Sequence, residues 1–303
     1  MEEKQPLFSV IIPTYGRPSQ LAACLQSITR LHYPGHRFEV IVVDDGSKKP
    51  PEAIVNQFID QLNIKLFTQA NAGPASARNS GISQAKGEFL VFIDDDCTPA
   101  PNWLQTLALQ FSSKPEHAIG GRTINALPDN LYSTASQMLI DYLYTYYNAD
   151  HNQGRFFTSN NLAMPIVRFN ILGGFDTGIP RAGGEDRDLC DRWLHHGYQM
   201  IYAPEVLVYH AHALTLRTFL QQHFNYGRGA FYFHRARARR GQERIKVEPL
   251  PFYLNLLRYP FSQARGLQAL LLAVLLGVSQ MANAIGFLWE RRLQTKASRS
   301  RIL

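Results

Sequence analysis

The chain predicts an α/β fold, with a doubly wound and mostly parallel sheet, from two features of its first 123 residues. From Leu7 to about Thr123, short apolar runs alternate with stretches of helical spacing, the pattern of strands joined by helical crossovers. Several of the helical stretches also open with Pro near their first turn, where a missing N–H costs nothing.

Phe8–Ile12, Phe38–Val43, Ile64–Phe67, Phe89–Ile93 and the run 117–121 read as buried strands. Ser19–Thr29, Pro51–Leu62, Pro74–Ala85 and Trp103–Phe111 read as the helices between them. A second portion, roughly 124–215, adds a Tyr-rich helix (Tyr132, Tyr142, Tyr144, Tyr146, Tyr147), a helix through Leu189 and Trp193, and a strand over 205–209 that runs into His210 and His212. Neither an internal repeat nor a low-complexity tract is visible.

In such sheets ligands sit beyond the carboxyl ends of the strands, so the residues just after each apolar run matter most. Pro13-Thr14-Tyr15-Gly16-Arg17 follows the first run, Asp44-Asp45-Gly46-Ser47 the second, and Asp94-Asp95-Asp96 the fourth. The segment Asn71 to Asn79, with Arg78, precedes the fourth. Three consecutive carboxylates repel one another unless a cation compensates. Their hard oxygen ligands suit Mg²⁺ or Mn²⁺, which also bridge substrate phosphates. Side-chain alternation would put Asp94 and Asp96 on one side and Asp95 on the other.

Composition agrees with a folded protein: 45% of residues are hydrophobic and 18% charged, which excludes a largely disordered chain. The formal charge, 31 − 24 = +7, favours an anionic partner. It gathers at Arg235–Arg240 and at Arg291, Arg292, Lys296, Arg299 and Arg301. No recognition motif for nucleic acid accompanies these clusters, so no nucleic-acid partner is expected. Cys24, Cys97 and Cys190 lack CxxC spacing and fit reduced core residues. Met1–Pro6 is charged and leads straight into a strand, so no signal peptide is expected and the α/β part is expected in the cytoplasm.

Ser9-Val10-Ile11-Ile12-Pro13-Thr14-Tyr15, Val42-Val43-Asp44-Asp45-Gly46-Ser47 and Gly87 through Asp96 resemble the nucleotide-binding half of family 2 glycosyltransferases with the GT-A fold. Gly173-Gly174-Phe175-Asp176, Gly184-Glu185-Asp186-Arg187-Asp188-Leu189, Gly197-Tyr198 and the strand ending in His210 resemble that family's acceptor half. The ordered set covers roughly residues 7–230. It implies a GT-A mixed sheet over 1–215, with a nucleotide-binding half (7–123) and an acceptor half (124–215). A helical, membrane-associating extension would cover 216–303.

The resemblance also implies roles. Tyr15 and Asp45 would hold the base of a nucleotide-sugar donor, with Pro13 beside them. Arg78 would meet the base or phosphates, Asp94 the ribose, and Asp95 would line the same donor site. Asp96 would ligate the metal, joined by His210, with His212 as its competitor. Asp186 would be the base that deprotonates the acceptor hydroxyl, and Glu185 an acceptor-positioning group. Family members of this kind invert the anomeric centre by one direct displacement. Plain structural explanations stand beside these roles: Tyr15 as a turn aromatic, Arg78 as a helix-surface charge, Asp186 as an N-cap, His210 as a strand end, the tyrosines at 132–147 as core. A sugar-phosphate nucleotidyltransferase on a related sheet is one alternative function, although its Gly-rich loop after the first strand is missing. A catalytically inactive, membrane-tethered binding module is the other.

Gln222-His223-Phe224-Asn225-Tyr226 keeps the Gln but lacks the Arg-Trp that processive synthases of the family carry, which favours transfer of a single sugar. The acceptor class expected from the family is a cell-surface glycan or a lipid-linked precursor. The 24 residues from Gly266 to Trp289 contain no charge, and ~20 suffice to span a bilayer. Gln268, Ser279, Gln280 and Asn283 weaken a spanning assignment, and one span would place the basic tail outside, against the positive-inside tendency. A helix or helical hairpin lying in the cytoplasmic interface, peripheral or monotopic, is therefore expected, with a single span as the alternative. Phe252, Tyr253, Tyr259 and Phe261 would be its aromatic anchors. The apolar positions of 215–231 beside Arg235–Arg240 suit an anionic membrane surface as well.

Overall fold

The computed structural model describes residues 5–179, 183–241 and 247–299. Met1–Lys4 and Arg301 lie outside these, as do the side chains of Lys296 and Arg299. The strands are β1 (Phe8–Thr14), β2 (Phe38–Asp44), β3 (Ile64–Thr68), β4 (Phe89–Phe92), β5 (Cys97–Pro99), β6 (Ala118–Asn125), β7 (Leu162–Pro165) and β8 (Met200–His210). They form one sheet in the order β3-β2-β1-β4-β7-β6-β8-β5. β3, β2, β1 and β4 run parallel, while β7 pairs antiparallel with both β4 and β6, and β5 antiparallel with β8. The sheet is thus mixed.

Its inner strands are nearly continuous apolar runs because both faces are covered, and the buried exceptions Ser9 of β1 and Glu39 of β2 hydrogen-bond each other at 2.8 Å. Phe8, Val10 and Ile12 of β1 enter a cluster with Leu25 and Trp103, whereas Ile11 enters the opposite cluster with Val43, Phe92 and Trp193. Strand alternation thus feeds two cores. The helices are α1 (Pro18–Ile28), α2 (Glu52–Val55), α3 (Pro74–Ile82), α4 (Trp103–Ser113), α5 (Leu131–Tyr147), α6 (Ile166–Ile171), α7 (Glu185–His195), α8 (Leu216–Arg239), α9 (Leu250–Arg258), α10 (Pro260–Gln263) and α11 (Gly266–Arg299). The helix expected over Pro51–Leu62 is shorter: α2 gives way to a 3₁₀ turn at Asn56–Phe58. The buried pair Val55 and Phe58 is spaced by three, which a 3₁₀ turn eclipses on one face.

A third cluster joins α5 to the C-terminal helices, with Leu139, Tyr142, Phe219, Phe252, Leu256, Leu272 and Leu276 buried together. No hairpin forms over 266–289, because α11 is one continuous helix lying against α8. Two glycines allow that approach. A Cβ on Gly227 would lie 1.8 Å from the Asn283 carbonyl oxygen, and one on Gly286 would lie 2.0 Å from that of Phe224. Glu290 turns inward to Arg228 (2.6 Å) and Tyr232 (2.6 Å), so the charge that bounds the apolar segment is paired inside the helix pair. Gly266–Thr295 is long and apolar enough to cross a membrane by length and composition.

Candidate active site

A cavity of about 850 Å³ opens at the carboxyl ends of β1, β2 and β4, and all ten residues singled out from the sequence line it: Pro13, Tyr15, Asp45, Arg78, Asp94, Asp95, Asp96, Glu185, Asp186 and His210. Parallel pairing aligns its floor, setting Thr14 of β1 opposite Asp44 of β2. Asp44 is buried and caps the following turn through the Ser47 backbone N–H at 3.2 Å. Asp45 accepts from the Gln69 side chain (2.7 Å) and from the backbone N–H groups of Ala72 and Gly73 (both 2.8 Å). It therefore pins the loop that leads into α3. Tyr15 is exposed, with its ring free at the cavity mouth.

The three aspartates each meet different partners. Asp94 pairs with Arg78 (2.7 Å). Asp95 accepts from Thr14 (2.7 Å) and Arg17 (3.2 Å), and Asp96 from Arg17 (2.9 Å) and His210 (3.2 Å). Simple alternation does not survive here, because β4 ends at Phe92 and the aspartates occupy the turn into β5, so Arg17 bridges two neighbours. Burial pushes the Asp95 carboxyl up to about 6 against the pull of Arg17 and Thr14. Burial also works against ionisation of Asp96, but its hydrogen bond to His210 and that ring's charge hold it well below the usual carboxylate range.

Antiparallel pairing sets Cys97 opposite His210, and the Ala211 N–H donates to the Asp96 carbonyl at 2.8 Å. The edge of the sheet thereby fastens Asp96 beside 210–212. Asp96, His210 and His212 each offer a ligand atom within 4.8 Å of the others. Burial favours a neutral His210, but its bond to Asp96 outweighs this and raises its pKa. His212 is pushed down to about 4 by burial and by His210, and so presents the neutral ring a metal ligand requires. One carboxylate and two imidazoles suit a divalent transition ion, and Mn²⁺, which accepts carboxylate oxygen, can occupy such a set more readily than Mg²⁺.

Across the cavity, Glu185 and Asp186 open α7. Arg78 is buried, not a helix-surface charge, and sits 3.6 Å from Glu185. Glu185 also accepts from the backbone N–H groups of Gly183 (2.8 Å) and Gly184 (3.0 Å), shaping the turn before α7. Close packing requires glycine there, since a Cβ on Gly184 would lie 2.6 Å from the Gly229 carbonyl oxygen of α8. Asp186 does not cap α7, whose N-cap is Gly184. One of its oxygens accepts from the Ser159 N–H at 3.1 Å, and the other, Oδ1, is buried with no partner among the described residues. Burial, with Glu185 adding to it and Arg78 opposing, pushes the Asp186 carboxyl up to about 7.

Arg17 escaped assignment from the sequence, although it lies two residues after Tyr15 and the repelling triplet called for a cation. His212 was left undecided against His210, and the structure brings both to Asp96. None of the tyrosines at 132–147 lines the cavity; Tyr142 and Tyr144 are buried core. Part of the basic run is engaged internally, with Arg240 on Asp188 (2.8 Å) and Arg237 on Asp191 (3.1 Å).

Known proteins share both sequence and architecture with this chain. It is 28% identical over 232 residues to glycosyltransferase AglE of Haloferax volcanii, covering 76% of this chain and 74% of that protein. It is 29% identical over 228 residues to a validoxylamine A glucosyltransferase of Streptomyces hygroscopicus subsp. limoneus, covering 66% of this chain and 50% of that protein. In fold it is similar to the mannosyltransferase PcManGT from Pyrobaculum calidifontis in complex with GDP-Man and Mn²⁺, with a TM-score of 0.61, 23% identity, and coverage of 99% of this chain and 81% of that one. It is also similar to S. aureus TarS 1-349, with a TM-score of 0.54, 19% identity, and coverage of 96% and 92%. The sequence profile of glycosyl transferase family 2 matches residues 9–173, more than half of the chain, and with it the protein belongs to that family of transferase enzymes, built on the GT-A fold.

Proposed function

We propose that the protein is an inverting, non-processive glycosyltransferase that moves one sugar from a nucleotide-sugar donor to a hydroxyl of a cell-surface glycan or lipid-linked acceptor. The observation that carries this reading is the placing of two chemically different groups in one cavity: a carboxyl pushed up to about 7 with a free oxygen at Asp186, and the Asp96–His210–His212 ligand set. Tyr15 and Pro13 would flank the nucleotide base. Asp45 holds the adjoining loop, so its part in base recognition includes setting the Ala72–Gly73 backbone. Arg78 would orient Asp94 toward the ribose while offsetting Glu185 and Asp186. A bound Mg²⁺ or Mn²⁺, held by Asp96 with His210 and His212, would neutralise charge on the departing diphosphate. Asp95, tied to Thr14 and Arg17, would keep that corner in register.

Asp186 would accept the proton of the acceptor hydroxyl on its unpartnered Oδ1 while the acceptor's own oxygen bonds to the anomeric carbon and the bond from that carbon to the diphosphate oxygen breaks, the diphosphate leaving with the electron pair. A base with a pKa near the working pH is well matched to this step. Glu185 would position the acceptor side by fixing the turn at 183–184.

The chain would work at the cytoplasmic face of a membrane, held by region 216–303. Support comes from the exposed apolar stripe on α11, which includes Leu267, Leu271, Val274, Met281, Ile285 and Leu288. Exposed Arg258 and Arg265 stand at one end of it, and Arg291 and Arg292 at the other. An apolar stripe with basic flanks suits an anionic interface.

Binding of a panel of nucleotide sugars, titrated with and without Mn²⁺, tests the reading. One member should bind only with the ion, and Asp96→Ala should abolish that binding. Donor binding that ignores both the ion and the substitution would refute it.

A further inference from the structure

We propose that Arg187 is an oxyanion receptor on the acceptor side of the cavity, so that the acceptor carries a phosphate-type group near the hydroxyl that is glycosylated. The proposal rests on the transferase reading above and extends it to the acceptor's chemistry. Arg187 follows Asp186 on α7 and lines the same cavity. Three aromatic rings surround its guanidinium, those of Tyr147 (5.4 Å), Phe233 (5.7 Å) and Phe156 (5.8 Å). It donates one hydrogen bond, to the Tyr147 hydroxyl at 2.7 Å, and that hydroxyl in turn donates to Glu248 at 2.7 Å. Among the described residues no carboxylate forms an ion pair with Arg187. The other cavity arginines are neutralised, Arg17 by Asp95 and Asp96, and Arg78 by Asp94 and Glu185.

A guanidinium carries five N–H donors in a rigid fork, and among the described residues one hydrogen bond from Arg187 goes to the protein. The rings hold the fork in place, so little rotamer entropy remains to be lost on binding an oxyanion. Ile140 and Leu143 of α5 line the neighbouring wall, leaving an apolar surface beside the cation. That pairing fits a phosphate attached to an apolar chain as well as a soluble phosphorylated glycan; the oxyanion is common to both.

The test is calorimetric titration of the full chain in detergent and EDTA with inorganic pyrophosphate, farnesyl pyrophosphate and farnesol. EDTA removes divalent ions, so metal-dependent binding at the donor end does not contribute. Wild type should bind the pyrophosphates. Arg187→Gln should weaken them about 10-fold or more, the scale of a charge-assisted fork, and Arg187→Lys should keep part of the affinity. Farnesol should be indifferent to either change. Tighter binding of farnesyl pyrophosphate than of inorganic pyrophosphate would identify a lipid-linked acceptor, and equal binding a soluble one. The proposal is overturned if Arg187→Gln binds both pyrophosphates as wild type does, or if wild type binds neither at millimolar concentration. Mn²⁺-dependent binding across a panel of UDP- and GDP-sugars, measured on the same preparations, should be equal in wild type and Arg187→Gln. Its absence from wild type would strike the transferase reading instead.

Discussion

Replacing Asp186 by Asn separates its chemistry from its shape. The side chain keeps its size and can still accept from the Ser159 N–H, so the turn at 159 and the start of α7 should stay in place. What disappears is the proton acceptor at Oδ1. A general base contributes roughly 10²–10⁴-fold, so turnover should fall by that factor while donor binding stays within about twofold. The pH profile gives an independent check. Wild-type kcat/KM should rise as pH passes through about 7, the value to which burial raises the Asp186 carboxyl, and the residual activity of the variant should lose that limb. Stability should move the other way. A carboxyl raised from 3.8 to about 7 in the fold favours the protonated form. Its contribution is therefore fully present below about pH 4 and is lost as pH rises through about 7. Three units at 1.36 kcal/mol each set an upper bound of about 4 kcal/mol. Because the residue as a whole is only half-buried, screening should reduce this to about 2 kcal/mol. Asp186→Asn, neutral throughout, should then melt a few degrees above wild type at pH 8 and level with it only below about pH 4. Turnover within tenfold of wild type, with the alkaline rise intact, would remove Asp186 from the role of base.

Three other expectations concern the ion, the membrane and the helix pair. His212→Ala should weaken Mn²⁺ binding about as much as His210→Ala does, read by ion titration; a loss confined to one of them would assign the ligand to that ring alone. Asp substituted at Leu271, Met281 and Ile285 should release the protein from anionic liposomes in a flotation assay with the far-UV spectrum unchanged, and continued flotation would exclude the α11 stripe. Such point changes are a cleaner test than deleting 251–303, which would strip Leu256, Leu272 and Leu276 from the core they share with α5. Gly227→Leu should lower the melting temperature and impair folding, because its side chain would overlap the Asn283 carbonyl 1.8 Å from the new Cβ; a stable variant would show that α8 and α11 can part at little cost.

The local code of this chain is legible because both sheet faces are buried: apolar runs broken only by Ser9 and Glu39 mark β1, β2 and β4, and the residues just beyond them mark the cavity floor. Pro13, Tyr15, Asp45 and the aspartates at 94–96 could be placed together from the sequence because each follows or flanks a strand whose direction the parallel fold sets. What the sequence withheld depends on pairing between distant segments. The antiparallel insertion of β7, the bridge from Arg17 to Asp95 and Asp96, and the meeting of His212 with Asp96 follow from strand order and register, which no local spacing encodes. The same holds for the protonation of Asp186. Its identity is written at position 186, but the burial that raises its pKa, with Glu185 adding and Arg78 and Ser159 opposing, arises when α3, the 158–161 segment and α7 pack together. Sequence by itself determined the fold class and named ten of the groups that line the cavity; only the tertiary structure decided their partners and charge states, because those energies depend on distances and desolvation that arise when remote parts of the chain meet.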